Sequence, residues 1–146
     1  MDIAAYRRKV QFYETDQMGI VHHSNYIRWF EEARVDFMEQ AGYGYDKLEG
    51  TGISFAVLSA QCEYKSMAHF GEQVDIETEI KEISNSRMVI GYRIYDVDSG
   101  TLRCTGETGH CFYHNELQKP VALVKYAAPV YALLKKITEE KEAKAE

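Results

Sequence analysis

Tyr13-Glu14-Thr15-Asp16-Gln17-Met18-Gly19-Ile20-Val21-His22-His23-Ser24-Asn25-Tyr26 sets a carboxylate, Asp16, in a short loop that contains glycine and runs straight into a helix. A helix start presents unpaired N–H groups and partial positive charge. A carboxylate beside such donors can act as base or nucleophile while the donors polarise a carbonyl. Those are the parts that hydrolysis of an ester or thioester needs. Asp16 alone would also suit a turn, where Asp bonds to nearby backbone.

The helix that follows is read from Ser24 to Ala41. Tyr26, Phe30, Ala33, Phe37 and Ala41 recur every three or four residues, and Trp29 and Met38 widen that stripe. Glu31, Glu32, Arg34, Asp36 and Glu39 fill the other faces. Ser24 is the expected N-cap and Gly42 the expected stop. Upstream, Tyr6–Tyr13 reads as a strand. Downstream, Gly42, Gly44, Gly50 and Gly52 mark an irregular connection with one helical turn at Asp46–Glu49.

From Ile53 the period changes to two. Ile53–Lys65 reads as a long strand, and Val74, Ile76, Thr78 and Ile80 alternate with charged residues in the next one. Arg87–Val97 is a further strand, Asp98-Ser99-Gly100 a hairpin turn, and Thr101–His114 the returning strand. Leu102, Cys104, Gly106, Thr108, His110 and Phe112 share one face of it. Pro120–Val124 reads as an edge segment, and Pro129 opens a second helix carrying Val130, Leu133, Leu134 and Ile137. The Lys- and Glu-rich tail, 138–146, is expected to fray. The pattern implies a single α+β domain over 1–146: a curved antiparallel sheet around one long helix, plus a C-terminal helix. Open sheet edges invite pairing between subunits.

The chain has 146 residues, 45% hydrophobic and 27% charged, enough for one core. A net charge of −6 disfavours nucleic acid and anionic membrane surfaces. No apolar run is long enough for a membrane span, and the first residues lack the apolar segment of a signal peptide, so a cytoplasmic location is the default. Cys62, Cys104 and Cys111 form no Cys-x-x-Cys pair and are expected to be reduced. His22 and His23 are adjacent, so they do not share a helix face. His110 and His114 lie roughly 13 Å apart at strand rise. Zinc wants three or four converging ligands, so no metal site is expected.

The motifs Tyr13-Glu14-Thr15-Asp16, Gly19-Ile20-Val21-His22-His23, Asn25-Tyr26 and Trp29-Phe30-Glu31-Glu32-Ala33-Arg34, in this order of elements, resemble the hotdog-fold thioesterases. More narrowly they resemble the 4-hydroxybenzoyl-CoA thioesterase-like group, including the Tol–Pal-associated acyl-CoA thioesterases. The resemblance implies that Asp16 is the catalytic carboxylate and that Val21, His22 and His23 surround the carbonyl-polarising position. It implies acyl-CoA as substrate, with no cofactor beyond the coenzyme A the substrate carries, and an active site shared between subunits of a homodimer or homotetramer. His22 stands where the family usually has Tyr, and Gln17 and Met18 replace its usual small residues. Gly19 and Tyr26 are the expected substrate-side residues of the loop and helix. Lys65 and Arg87, with Arg103, are candidates for the coenzyme's phosphates. Tyr26, Trp29, Phe30 and Phe37 suit either an acyl pocket or plain core. Glu63 is a further acidic candidate. Other readings are a thioesterase for acyl carrier protein, a hotdog dehydratase using His23 with Asp16, and an acyl-thioester-binding module without catalysis.

Overall fold

The computed structural model describes residues 1–145. The chain runs β1 (Tyr6–Lys9), a 3₁₀ turn (Phe12–Glu14), α1 (Ser24–Gln40), α2 (Tyr45–Gly50) and β2 (Ile53–Tyr64). It continues with β3 (Gln73–Ile83), β4 (Arg87–Asp96), β5 (Leu102–His114), β6 (Lys119–Pro120), α3 (Leu123–Tyr126) and α4 (Ala128–Ala145). The sheet is antiparallel in the order β1-β3-β4-β5-β2, with β6 added beside β5. It wraps α1 in the hotdog arrangement.

The alternation read from the strands decides which face meets α1. Val74, Ile76 and Ile80 of β3, Met88, Ile90, Tyr92 and Ile94 of β4, and Cys104, Thr108, His110 and Phe112 of β5 are buried on the inner face. Against them lie Tyr26, Trp29, Phe30, Ala33, Phe37, Met38 and Ala41, the stripe its spacing predicts. One row of the inner face is cut to zero side chain to admit the helix. A Cβ on Gly106 would stand 2.4 Å from Phe30 Cε2 and 2.7 Å from the Gln61 carbonyl oxygen. Phe30 instead stacks flat on Tyr92, with centroids 4.2 Å apart.

Four boundaries differ from the sequence reading. The first strand stops at Lys9 rather than Tyr13, because the Glu14 carboxylate folds back onto the Gln11 N–H at 2.8 Å and turns the chain. The segment after β6 is helical from Leu123, since Leu123 N–H bonds to the Asn85 carbonyl and pulls the chain off the sheet edge. Ser24 is the first residue of α1 and not its cap; His23 holds the cap position. The tail from Thr138, expected to fray, is helical to Ala145, and residue 146 lies outside the described residues. Thr138 is buried, Lys141 reaches Glu79 at 3.2 Å, and Lys144 pairs with Asp2. Among the described residues no helix is long and apolar enough to cross a membrane.

Candidate active site

The site is built on Glu14, which the sequence reading passed over. The residue is 3% exposed. One carboxylate oxygen accepts from Arg8 Nη1 and Gln11 N, both at 2.8 Å; the other accepts from Trp29 Nε1 at 2.7 Å. Burial would raise this carboxyl. The donors of Arg8, Trp29 and Gln11 together outweigh it and hold the group below the usual carboxylate range. Arg8 lies 4.7 Å over the Trp29 ring and also bonds to Glu32 at 2.9 Å, so β1, the turn and α1 are pinned at one point. The Glu14 carbonyl accepts from His22 N–H and from Asn25 Nδ2, each at 2.9 Å. The sequence signal was the spacing Gln11-x-x-Glu14, the three-residue reach of a carboxylate back to a cap N–H.

That clamp closes the base of the Asp16 loop. Thr15 bridges Val21, Asp16 N–H bonds to the Ile20 carbonyl at 2.9 Å, and Gly19 takes the left-handed φ of +77° that the tight return needs. Asp16 is half-buried, and its Oδ1 accepts the Met18 N–H at 2.8 Å. A cleft of about 290 Å³ opens beside it, bounded by Asp16, Val21, His22, His23, Tyr26 and Tyr64 on one side. Lys65, Ser66 and Met67 form its rim.

The amides at the helix start are not equivalent. Val21 N–H is spent on the Ala68 carbonyl at 2.9 Å and His22 N–H on Glu14. Ser24 N–H meets His22 Nδ1 at 3.2 Å, Asn25 N–H the His22 carbonyl at 3.0 Å, and Tyr26 N–H the His23 carbonyl at 3.3 Å. Among the described residues the His23 N–H alone in this run donates to nothing. The His22 ring takes the place of the expected Ser24 cap and stacks on His23, with centroids 4.2 Å apart. Tyr26 is buried with its hydroxyl pushed up to about 12 by desolvation, so it remains a donor throughout the neutral range. Tyr64, also pushed up to about 12 by burial first, lies 5.4 Å from it.

Other expectations separate here. Gly19 shapes the loop without lining the cleft. Arg87 does not line the cleft of its own chain. It opens β4 beside Cys111, whereas the cleft lies at the Tyr64–Cys104–Ile94 end, seven residues or about 23 Å away. Arg103 is near, but its guanidinium is committed to Glu72 at 2.8 Å and Ser66 at 3.1 Å. Lys65 sits on the rim with its amine on exposed Glu63 at 2.8 Å, a weak surface pair that an anion can displace. Trp29, Phe30 and Phe37 are core. Cys104 and Cys111 are buried and Cys62 half-buried; all three are free thiols.

Residues 10–128 match the model of the thioesterase-like superfamily. The acyl-CoA thioesterase YbgC of Helicobacter pylori is 26% identical over 126 residues, covering 82% of this chain and 92% of that protein. The crystal structure of DHNA-CoA thioesterase from Staphylococcus aureus superposes with a TM-score of 0.89 at 28% identity, covering 96% of this chain and 93% of the other. A hypothetical protein from Thermus thermophilus superposes at 0.84 with 34% identity over 92% and 98% of the two chains. The fold is thus shared over almost the whole chain, and the chain belongs to the thioesterase-like superfamily of the hotdog fold.

Proposed function

We propose that the protein hydrolyses acyl-CoA thioesters to the free acid and coenzyme A. The observation that carries this reading is that Asp16 and the unpaired His23 N–H border one cleft. The thioester carbonyl oxygen accepts from the His23 N–H, where the positive end of α1 also favours the charge that develops. Asp16 either takes a proton from an attacking water or adds to the acyl carbon itself, after which water releases the acid. In both routes the carbon–sulfur bond breaks and the coenzyme leaves as the thiol. Lys65 on the rim attracts a phosphate, offsetting the acidic net charge locally. His22 and Val21 contribute by holding the helix start, and Tyr26 closes the inner wall.

The homodimer belongs to the same reading. β2 is an edge strand of 12 residues, and on it Val57 and Leu58 are 51% and 52% exposed. Ile27 and Val35 of α1 are exposed as well. A long apolar edge of this kind calls for a second strand. A second β2 across a two-fold axis would extend the sheet and bring apolar surface against apolar surface. Free thiols and an acyl-CoA substrate suit the cytoplasm.

The test is release of free thiol from a panel of acyl-CoA substrates, comparing the native protein with Asp16→Asn. Asparagine keeps an oxygen for the Met18 N–H, so the loop is retained while the charge is lost. The variant should lose at least about a hundredfold in kcat, the low end for a positioned acid–base group. Full activity in the variant would remove Asp16 from the mechanism. Product analysis separates hydrolysis from dehydration, because only hydrolysis releases the thiol.

A further inference from the structure

A second cavity, of about 300 Å³, lies between α1, α2 and the inner face of the sheet, and it shares no lining residue with the Asp16 cleft. Its α1 wall begins at Glu31, eight residues or about 12 Å along the helix from His23. Phe37, Phe55, Met88, Ile90 and Leu134 make its walls apolar. Arg34 is the one cation on the lining.

Arg34 differs from the other half-buried arginines. Arg8 is paired with Glu14 and Glu32, and Arg103 with Glu72. Arg34 is half-buried too, yet among the described residues it has no carboxylate within 4.0 Å, and its guanidinium makes a single hydrogen bond, from Nη1 to Tyr92 Oη at 3.1 Å. Most of its donors are unused. Behind it runs a neutral chain: Tyr92 Oη meets Thr108 Oγ1 at 2.6 Å, and Thr108 Oγ1 meets His110 Nε2 at 2.7 Å. Burial raises the Tyr92 hydroxyl and keeps its proton on. Burial first, and then the charge of Arg34, lower His110 to about 4, so it is neutral at physiological pH. No negative charge reaches Arg34 from inside. Thr78, on the same cavity wall, has a buried hydroxyl with no hydrogen-bond partner. A half-buried guanidinium with free donors and no counter-ion is open to a bidentate anion.

We propose that this cavity binds the carboxylate of a small apolar acid, of about one aromatic ring, with Arg34 as its anion anchor. The volume sits at the small end of ligand sites, and an apolar wall with a few convergent polar groups is the usual build of one. Glu31 and Glu49 are exposed on the lining. They disfavour polyanions such as an intact coenzyme ester while tolerating a single carboxylate held by a guanidinium. The reaction proposed above releases a carboxylic acid, so, on that reading, the product belongs to the class this site accepts. Binding itself does not depend on that reading.

Calorimetric titration with benzoate tests the site, with benzamide as the neutral isostere. Benzoate should bind at least about tenfold more tightly than benzamide, and Arg34→Gln should lose at least about tenfold of benzoate affinity, the low end for a charge-assisted bond. Asp16→Asn should bind benzoate as the native protein does, which separates this site from the catalytic cleft. Benzoate should also shift the methyl NMR signals of Met38 and Met88 in the native protein, a readout independent of how any variant folds. Equal binding of benzamide, unchanged affinity in Arg34→Gln, or unmoved methyl signals at millimolar benzoate would each overturn the proposal. So would conversion of the oligomer to monomers by Arg34→Gln, which would assign the missing counter-ion to a second copy of the chain.

Discussion

Glu14→Gln tests the foundation of the site. The native carboxylate serves three donors, two on one oxygen and one on the other. An amide offers one oxygen. If that oxygen keeps Arg8 and Gln11, its NH₂ faces the Trp29 Nε1–H, and a buried donor loses its acceptor. That costs about 1–3 kcal/mol. The Arg8 bond also loses its charge assistance, in part made good by Glu32 at 2.9 Å. The sum is a loss of about 3 kcal/mol, measurable as a lower urea midpoint at unchanged slope. Trp29→Phe removes the third donor, so the double variant should be less impaired than the two single losses added, by about 1–2 kcal/mol in a double-mutant cycle. Because the Glu14 backbone also fixes His22 and Asn25, the single variant should lower kcat more than it raises KM. A Glu14→Gln protein within about 0.5 kcal/mol of native stability, the scatter of ordinary surface changes, with native kcat, would refute the clamp.

Four further outcomes are expected. Gly106→Ala drives a methyl into Phe30, which is held against Tyr92, and into the Gln61 carbonyl; it should cost about 3 kcal/mol in denaturant unfolding, with partial recovery in Phe30→Leu/Gly106→Ala. His110 stays neutral in the fold down to about pH 4 whereas the unfolded chain protonates it near 6.5, so the unfolded state takes up the proton first and stability falls as pH drops. Between pH 7 and pH 5 that amounts to about 2 kcal/mol, and a His110→Gln protein should show a flatter profile there. Glu14 acts in a lower window, since its depressed carboxyl gives its stability above the usual carboxylate pKa and loses it as pH falls through the folded value. Leu58→Arg should turn a dimer into monomers by analytical ultracentrifugation, and an unchanged sedimentation coefficient would remove β2 from the interface.

Periodicity carried most of the fold. The three-or-four spacing from Tyr26 to Ala41 located α1 and its buried face, and the alternation in β3 and β5 located the inner face of the sheet, because burial on one side writes itself into every second residue. What depends on partners distant in sequence was less legible. Arg87 and Lys65 both read as residues at strand ends, but β2 and β4 flank β5 and run the same way, so the end of one and the start of the other lie far apart, which only the pairing shows. Glu14 carried a local signal toward Gln11, yet Arg8 and Trp29 meet it only through the packing of β1 against α1. Ser24 had the chemistry of a cap and lost the position to His23 because the His22 imidazole accepts its N–H. The tail composition suggested a solvated end, and contacts with Glu79 and Asp2 keep it helical.

The return at Gly19 divides the labour within one short loop. Asp16 is held from beneath by backbone bonds that any side chain permits, while Gln17 and Met18 stand in solvent at the tip. Substitutions at those two positions therefore leave the Asp16 carboxylate where it is. The loop tip can thus vary in sequence while its return and the placement of Asp16 stay constant.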